Sequence, residues 1–270
     1  MSKEVQSNWP YLVWFLFYFI LFSVLTFGVA ILFYLVSVPF AFSPFAEILW
    51  RRISGVRPLR LMSEKRRLLP LFKEVYLGAI KAEPNLSRKI RVYIQENMSV
   101  NAFSFGKRTL VLTRGSVELL SDESLKGLIA HEFGHFAHYD TVAGLFATIS
   151  NLFMSVTMKW LSDVRDKYED KERLGILQSA FKTIFDLLYY IFRGIGFIGD
   201  LILMRTSRGH EYYADQFAVK SGYAKELTSV LIEIYRMSIE TPKSVKEQLR
   251  STHPPITIRI EKLEKVIYQK

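Results

Sequence analysis

The amino-acid sequence predicts a mainly α-helical integral membrane protein with a small β-sheet, an α+β arrangement. Three observations carry that prediction. From Tyr11 to Ala46 there is no charged residue, a stretch longer than the roughly 20 apolar residues needed to cross a bilayer. Two further apolar segments, Val142 to Met158 and Leu174 to Met204, lie in the middle of the chain. Ahead of them, Arg91-Val-Tyr-Ile-Gln, Ala102-Phe-Ser-Phe and Thr109-Leu-Val-Leu-Thr read as short strands, the last two joined by a Gly106-Lys107-Arg108 turn. With 270 residues and 50% hydrophobic content, the chain has enough apolar surface for one substantial core in addition to membrane segments.

Residues 1–50 form the expected N-terminal membrane anchor. One reading is a single long helix to about Val36, followed by an interfacial segment broken by Pro39 and Pro44. The other is a hairpin turning near Thr26-Phe27-Gly28, which is preferred because it brings Trp9 and Trp50 to one interface. The run is too long for a signal peptide and lacks a small-residue cleavage site. After Glu47 come Arg51, Arg52, Arg57, Arg60, Lys65, Arg66 and Arg67, opposed only by Glu64. By the positive-inside bias this flank is cytoplasmic, and either topology puts the following domain on the cytoplasmic face of the cell membrane. The absence of cysteine agrees with a reducing compartment. The net charge of +10 is concentrated beside the membrane run without a nucleic-acid-binding motif. Anionic lipid, not nucleic acid, is therefore the expected partner.

Residues 51–140 hold the strand-like segments and a helix carrying His131-Glu132-Phe133-Gly134-His135. Residues four apart share one helix face, so His131 and His135 can converge on a single metal ion. Glu132 sits about 100° round the helix, where its carboxylate flanks the metal and reaches a bound water. In such a site zinc lowers the water's pKa toward roughly 7, and the glutamate takes the proton as the water attacks a scissile carbonyl. A metal-dependent hydrolase is the class this spacing implies. Ser121 or Asp122 can cap the helix, Glu123 sits in its first turn, and Leu125, Leu128 and Ile129 give it an apolar face. Asp140 and the apolar run after it leave its end open. The competing reading is an ordinary helix with two incidental histidines.

The insert at 141–205 is a possible second membrane hairpin. Val142 to Met158 is uncharged, whereas Leu174 to Met204 carries Lys182, Asp186, Arg193 and Asp200, with a dense charged loop expected from Ser162 to Arg173. Charges inside a span are costly unless they face protein or water, so the second arm can also be an amphipathic helix at the interface.

Residues 206–270 complete the domain, with amphipathic helices expected over Tyr223–Met237 and Ile256–Tyr268. They also have to supply a third ligand, because a catalytic zinc normally keeps three protein ligands and one open position. The HExxHxxGxxH solution is absent, since His138 and Thr141 stand where it needs glycine and histidine. The strongest candidate is Glu211. It is four residues before Asp215, so on a helix one carboxylate can bind metal while the other accepts a hydrogen bond from a ligand imidazole. The alternative for this pair is a solvated helix face. His210 competes as a ligand but points away from the Glu211 face, and His138 reads as an exposed or hydrogen-bonded histidine.

Four separated motifs together give a family resemblance. They are Asn101-Ala102-Phe103, the HEFGH helix, Ser207-Arg208 with Glu211 and Ala214-Asp215, and His253-Pro254 with Arg259. In their order and spacing the chain resembles the HtpX and CAAX-prenyl-protease group of membrane zinc metallopeptidases, over roughly residues 60 to 265. The resemblance implies a zincin-type endopeptidase with one Zn2+ per chain, acting on protein or peptide substrates in or near the membrane. It implies that Glu211 is the third zinc ligand and Asp215 its supporting partner. It also puts Asn101, Ala102 and Phe103 on an edge strand lining the substrate groove, and gives His253 a catalytic part in stabilising the oxyanion, with Arg259 in the same polar network. For the last two the plain alternatives are a loop residue before Pro254-Pro255 and a solvated helix face. An edge strand reads backbone shape more than side chains, so broad substrate choice follows. Quality control of damaged membrane proteins is the implied role; processing of a specific peptide and a non-catalytic receptor or scaffold are the alternatives. Glu132 argues for turnover, because a binding-only metal site needs no general base.

Overall fold

The structure is a computed structural model that describes residues 8–25, 28–169, 175–239 and 253–268. It is mainly helical with one four-stranded sheet, and it divides into two compact units.

One unit comprises Trp9–Val38 and Phe146–Met204. It holds α1 (Trp9–Leu25), most of α2 (Val29–Ala41), and the inner lengths of α7 (Asp140–Glu169) and α8 (Ile176–Lys220). The first apolar run is therefore interrupted after Leu25, and Gly28 supplies the break with a φ of +88°. Aromatic rings join the helices. Phe22 stacks on Tyr18 at 5.6 Å between centroids and meets Phe153 at 4.4 Å and Phe192 at 6.0 Å, while Phe15 and Phe33 close on Tyr34 at 5.3 and 5.6 Å. Among the described residues two helices are long and apolar enough to cross a membrane, α7 over Asp140–Lys167 and α8 over Ile176–Lys220, and α2 with the following helix makes a third if that bent pair is one span.

The charged segment from Ser162 departs from the expected loop, since α7 stays helical to Glu169. Lys159 and Asp163 pair at i,i+4, 3.6 Å apart, and Arg165 reaches Asp186 at 3.8 Å while lying over the Tyr189 ring. Pairs at this spacing satisfy charges along a helix without ending it. Residues 170–173 of the expected loop lie outside the described residues.

The other unit comprises Met1–Asn8, Pro39–Leu145 and Arg205–Lys270. Its sheet runs β1 (Val56–Pro58), β2 (Arg91–Gln95), β4 (Thr109–Thr113), β3 (Ala102–Phe105). β2 and β4 are parallel with Val92 opposite Leu110 and Ile94 opposite Leu112, while β3 returns antiparallel to β4 with Ala102 opposite Leu112. β4 is buried at every residue, as a central strand covered on both faces must be. β3 is a terminal strand of the sheet. β1 is a strand the sequence pattern does not announce, being three residues long and ending in proline; it is confined to the opposite edge.

Four helices cover this sheet region: α3 (Pro44–Ile53), α4 (Met62–Ala82), α5 (Arg114–Leu119) and α6 (Asp122–Ala137), with α9 (Ala224–Ile239) and α10 (Ile256–Tyr268) completing the unit. α4 presents Leu68, Leu71, Val75 and Ala79 at helical spacing to the core. α6 runs through the middle, with Leu125, Ile129 and Phe133 fully buried against Leu68, Val75, Ile94, Leu110, Phe217 and Leu227. A helix with its interior filled on nearly every side is a rigid mount for whatever side chains it carries.

Candidate metal centre

α6 begins where the sequence caps it. Ser121 Oγ accepts from Ser124 N at 3.1 Å, and the helix ends at His138, whose N–H donates to Gly134 O at 3.0 Å. His131 and His135 project from one side with ring centroids 4.9 Å apart and planes at 88°. Each ring is fixed through Nδ1. His131 Nδ1 lies 3.0 Å from Asp215 Oδ1, and His135 Nδ1 lies 2.8 Å from Asp140 Oδ2. A carboxylate at Nδ1 holds the proton there and turns the Nε2 lone pair toward a metal.

The two Nε2 atoms point to one carboxylate. Glu211 Oε2 is 3.4 Å from His131 Nε2, and Glu211 Oε1 is 3.7 Å from His135 Nε2. A tetrahedral ion at about 2.0–2.1 Å from its ligands separates their atoms by roughly 3.3 Å, so these distances fit an ion held between the three groups. Glu132 flanks the same space. It is buried, and its Oε2 has no hydrogen-bond partner, which is costly for a carboxylate oxygen unless a cation or a reacting water engages it. Two imidazoles with carboxylate oxygen suit a borderline-soft divalent ion of the zinc type.

A cationic clasp holds the acidic side of the site. Arg259 Nε and Nη2 donate to Asp215 Oδ2 and Oδ1 at 2.8 and 2.6 Å, and Nη1 lies 2.9 Å from Glu211 Oε2. Burial disfavours its charge, but the two carboxylates outweigh that and hold the guanidinium ionised. His131 shows the same balance. Burial lowers its pKa, while the hydrogen bonds to Asp215 and Glu211 outweigh it and bring the value to about 9 with no metal bound, so a metal at Nε2 displaces a proton there.

The structure thus brings together His131, Glu132, His135, Glu211, Asp215 and Arg259. His253 also reaches the site, with Nδ1 2.8 Å from Glu211 Oε1, but its side chain is 60% exposed and its contact is with the carboxylate. Asn101, Ala102 and Phe103 lie on and just before β3, which packs beside α6. The Asn101 backbone is already consumed, its N–H donating to Thr113 Oγ1 and Ser116 Oγ at 3.0 and 2.8 Å, and Ala102 is buried. Sequence reasoning missed Asp140, the carboxylate behind His135. Its only signal was its position just past the helix end, five residues after His135, where the chain reverses and a side chain can fold back.

A family model for peptidase family M48 matches residues 72–267. The chain is 31% identical over 199 residues to a protein named "Protease HtpX homolog" from Leuconostoc citreum, covering 65% of this chain and 67% of that one. It is 27% identical over 300 residues to a protein of the same name from Dictyoglomus turgidum, covering 97% of this chain and 92% of that one. Among solved structures it is similar in fold to Ste24p of S. mikatae, with a TM-score of 0.56 and 20% identity; the match covers 94% of this chain but only 61% of the length of Ste24p. With the HEFGH helix, its downstream glutamate and a family match across most of the sequence, the chain belongs to peptidase family M48.

Proposed function

We propose that the chain is a membrane-bound, zinc-dependent endopeptidase that cleaves peptide bonds in membrane or membrane-proximal proteins from the cytoplasmic side. The observation that carries this reading is the convergence of His131 Nε2, His135 Nε2 and the Glu211 carboxylate beside the buried, unpartnered Oε2 of Glu132. His131, His135 and Glu211 would hold the zinc. When bound, zinc supplies Lewis acidity, making a water more acidic and polarising a carbonyl.

The remaining work belongs to the side chains. Glu132 is the general base: it accepts a proton at its carboxylate and returns it to the leaving amine. Asp215 and Asp140 keep the imidazoles in register through Nδ1. Arg259 offsets the charge that Glu211 and Asp215 bring into a buried space. β3, terminal in its sheet and beside α6, offers a backbone edge to an extended peptide. Because Asn101 is tied to Thr113 and Ser116, that pairing would fall to Ala102 and Phe103 onward. Recognition through backbone suits damaged or unfolded membrane proteins better than one defined sequence. The basic residues from Arg51 to Arg67 support the cytoplasmic orientation.

The test is zinc content and cleavage of an unfolded model protein by detergent-purified chain and by Glu132→Gln. At least one zinc per chain in both, with cleavage by the unsubstituted protein alone, supports the reading. Equal cleavage by both would remove Glu132 as the base, and absence of zinc from both would remove the metal site.

A further inference from the structure

A second group of metal-ligand side chains lies against the first. His138, Asp140 and His210 each offer a ligand atom within 4.8 Å of the others. His138 and Asp140 stand on either side of Tyr139, at the cap of α6 and the first residue of α7, and His210 comes from α8, so the meeting of His210 with the other two is not a by-product of one helical repeat. His138 Nδ1 is 2.6 Å and His210 Nδ1 is 3.2 Å from the same oxygen, Asp140 Oδ1. The histidine rings are 5.1 Å apart at 66°, and Tyr213 lies over His138 at 4.1 Å. His210 is 4% exposed and the Asp140 side chain 9%.

The backbone is bent to deliver them. Tyr139, between His138 and Asp140, has a φ of +61° and is the non-glycine residue with positive φ among the described residues. The residue is 61% exposed, so burying the tyrosine ring does not explain the conformation. Side chains rarely adopt this left-handed region, and where they do the surroundings usually require it. Here the turn swings Asp140 back so that one oxygen faces His135 and the other faces His138 and His210.

We propose that His138, Asp140 and His210 form a second site for a divalent transition metal of the zinc class, coupled to the first through the two oxygens of Asp140. Two imidazoles and one carboxylate are the donor set such ions take, with the remaining positions left to water; the 3.2 Å His210–Asp140 separation suits two ligands of one ion, and the 2.6 Å His138–Asp140 contact is a hydrogen bond that the metal would replace. A cation on Oδ1 draws charge from the carboxylate whose Oδ2 orients His135, so filling the second site weakens the hold on His135. The direction of that coupling rests on His131, His135 and Glu211 being the first site; the second site itself does not.

The experiment is an equilibrium Co2+ titration of the metal-stripped full chain in detergent, followed by visible absorption and metal-to-protein ratio, with His138→Asn, His210→Asn and Glu211→Ala alongside. The expected result is about two equivalents for the unsubstituted chain and about one for each histidine variant, the retained equivalent showing that the fold is intact. If one histidine variant loses both equivalents through misfolding, the other decides. One equivalent in the unsubstituted chain, or two in both histidine variants, overturns the proposal. Glu211→Ala separates the two readings. Loss of one equivalent there supports the first site, whereas retention of both removes Glu211 as a ligand and leaves the second site standing.

Discussion

Gly134 sits so close to Ala214 that a Cβ built on the glycine would lie 2.5 Å from Ala214 Cα and 2.9 Å from its Cβ. The glycine of the HEFGH motif is thus where α6 meets the part of α8 that carries Glu211 and Asp215, and both helices need a small residue there. A real Cβ cannot occupy such a position, so Gly134→Ala must push the two backbones apart. His135 and Glu211, on either side of this contact, then separate. The expected outcome is at least a tenfold loss of metal affinity, while Gly144→Ala, whose Cβ would meet nothing within 4 Å, leaves it unchanged. Equal metal affinities for the two variants would show that the close approach does not set the site.

Asp215 is expected to act through His131 and Arg259 together. Its Oδ1 is shared by His131 Nδ1 at 3.0 Å and Arg259 Nη2 at 2.6 Å. Asp215→Asn keeps the volume and removes the charge. Metal affinity should fall roughly 10–100-fold, as it does when the carboxylate behind a ligating imidazole is lost. Thermal stability should fall as well, because the buried Arg259 keeps only Glu211 as a counter-charge. Metal dissociation constants and melting temperatures check the two parts separately. Unchanged affinity would mean that His131 is oriented by packing alone.

Much of this site was legible because its spacing is local. His131, Glu132 and His135 lie on one helix turn, Glu211 and Asp215 on another, and β2, β3 and β4 each coincide with a short run of strand-forming residues. What the residues could not announce is tertiary. Whether Glu211 faces the two imidazoles or solvent depends on how closely its helix approaches α6, as at Gly134 and Ala214, and no periodicity encodes that. Asp140 reads as a helix end until the turn at Tyr139 folds it onto His135. β1 is too short to carry a pattern, and its pairing with β2 comes from packing. The charged stretch after Ser162 reads as a loop by charge density, whereas pairs one turn apart keep the helix going to Glu169.

The N-terminus of α6 offers a test of the mount apart from the metal. Ser121 Oγ accepts from Ser124 N at 3.1 Å, satisfying one of the donors a helix leaves unpaired in its first turn. Ser121→Ala should cost about 1 kcal/mol of stability and leave metal affinity within about twofold, since ten residues separate the cap from His131. A melting temperature unchanged by the substitution would show that water serves the helix end equally well.

Acid stability should depend on Glu64, far from the metal site in sequence. Its side chain is 3% exposed, with Oε1 2.6 Å from Arg57 Nη2 and 3.1 Å from Arg114 Nη2, and Oε2 accepting from the backbone N–H of Arg60 and Leu61 at 3.1 and 3.3 Å. The hydrogen bonds from Arg57, opposed by burial and helped by the backbone donors, bring its pKa down from 4.5 to about 2. A carboxylate depressed in the folded state contributes stability that is complete above its unfolded pKa and is lost as pH falls through the folded value. The window here is therefore pH 4.5 down to 2, and the shift corresponds to roughly 3 kcal/mol. Denaturation midpoints of the unsubstituted chain and Glu64→Gln, measured from pH 7 to 2, should differ most at neutral pH and converge across that window. Parallel curves would show that the Arg57–Glu64 contact is as strong with the carboxyl protonated, and that acid lability originates elsewhere.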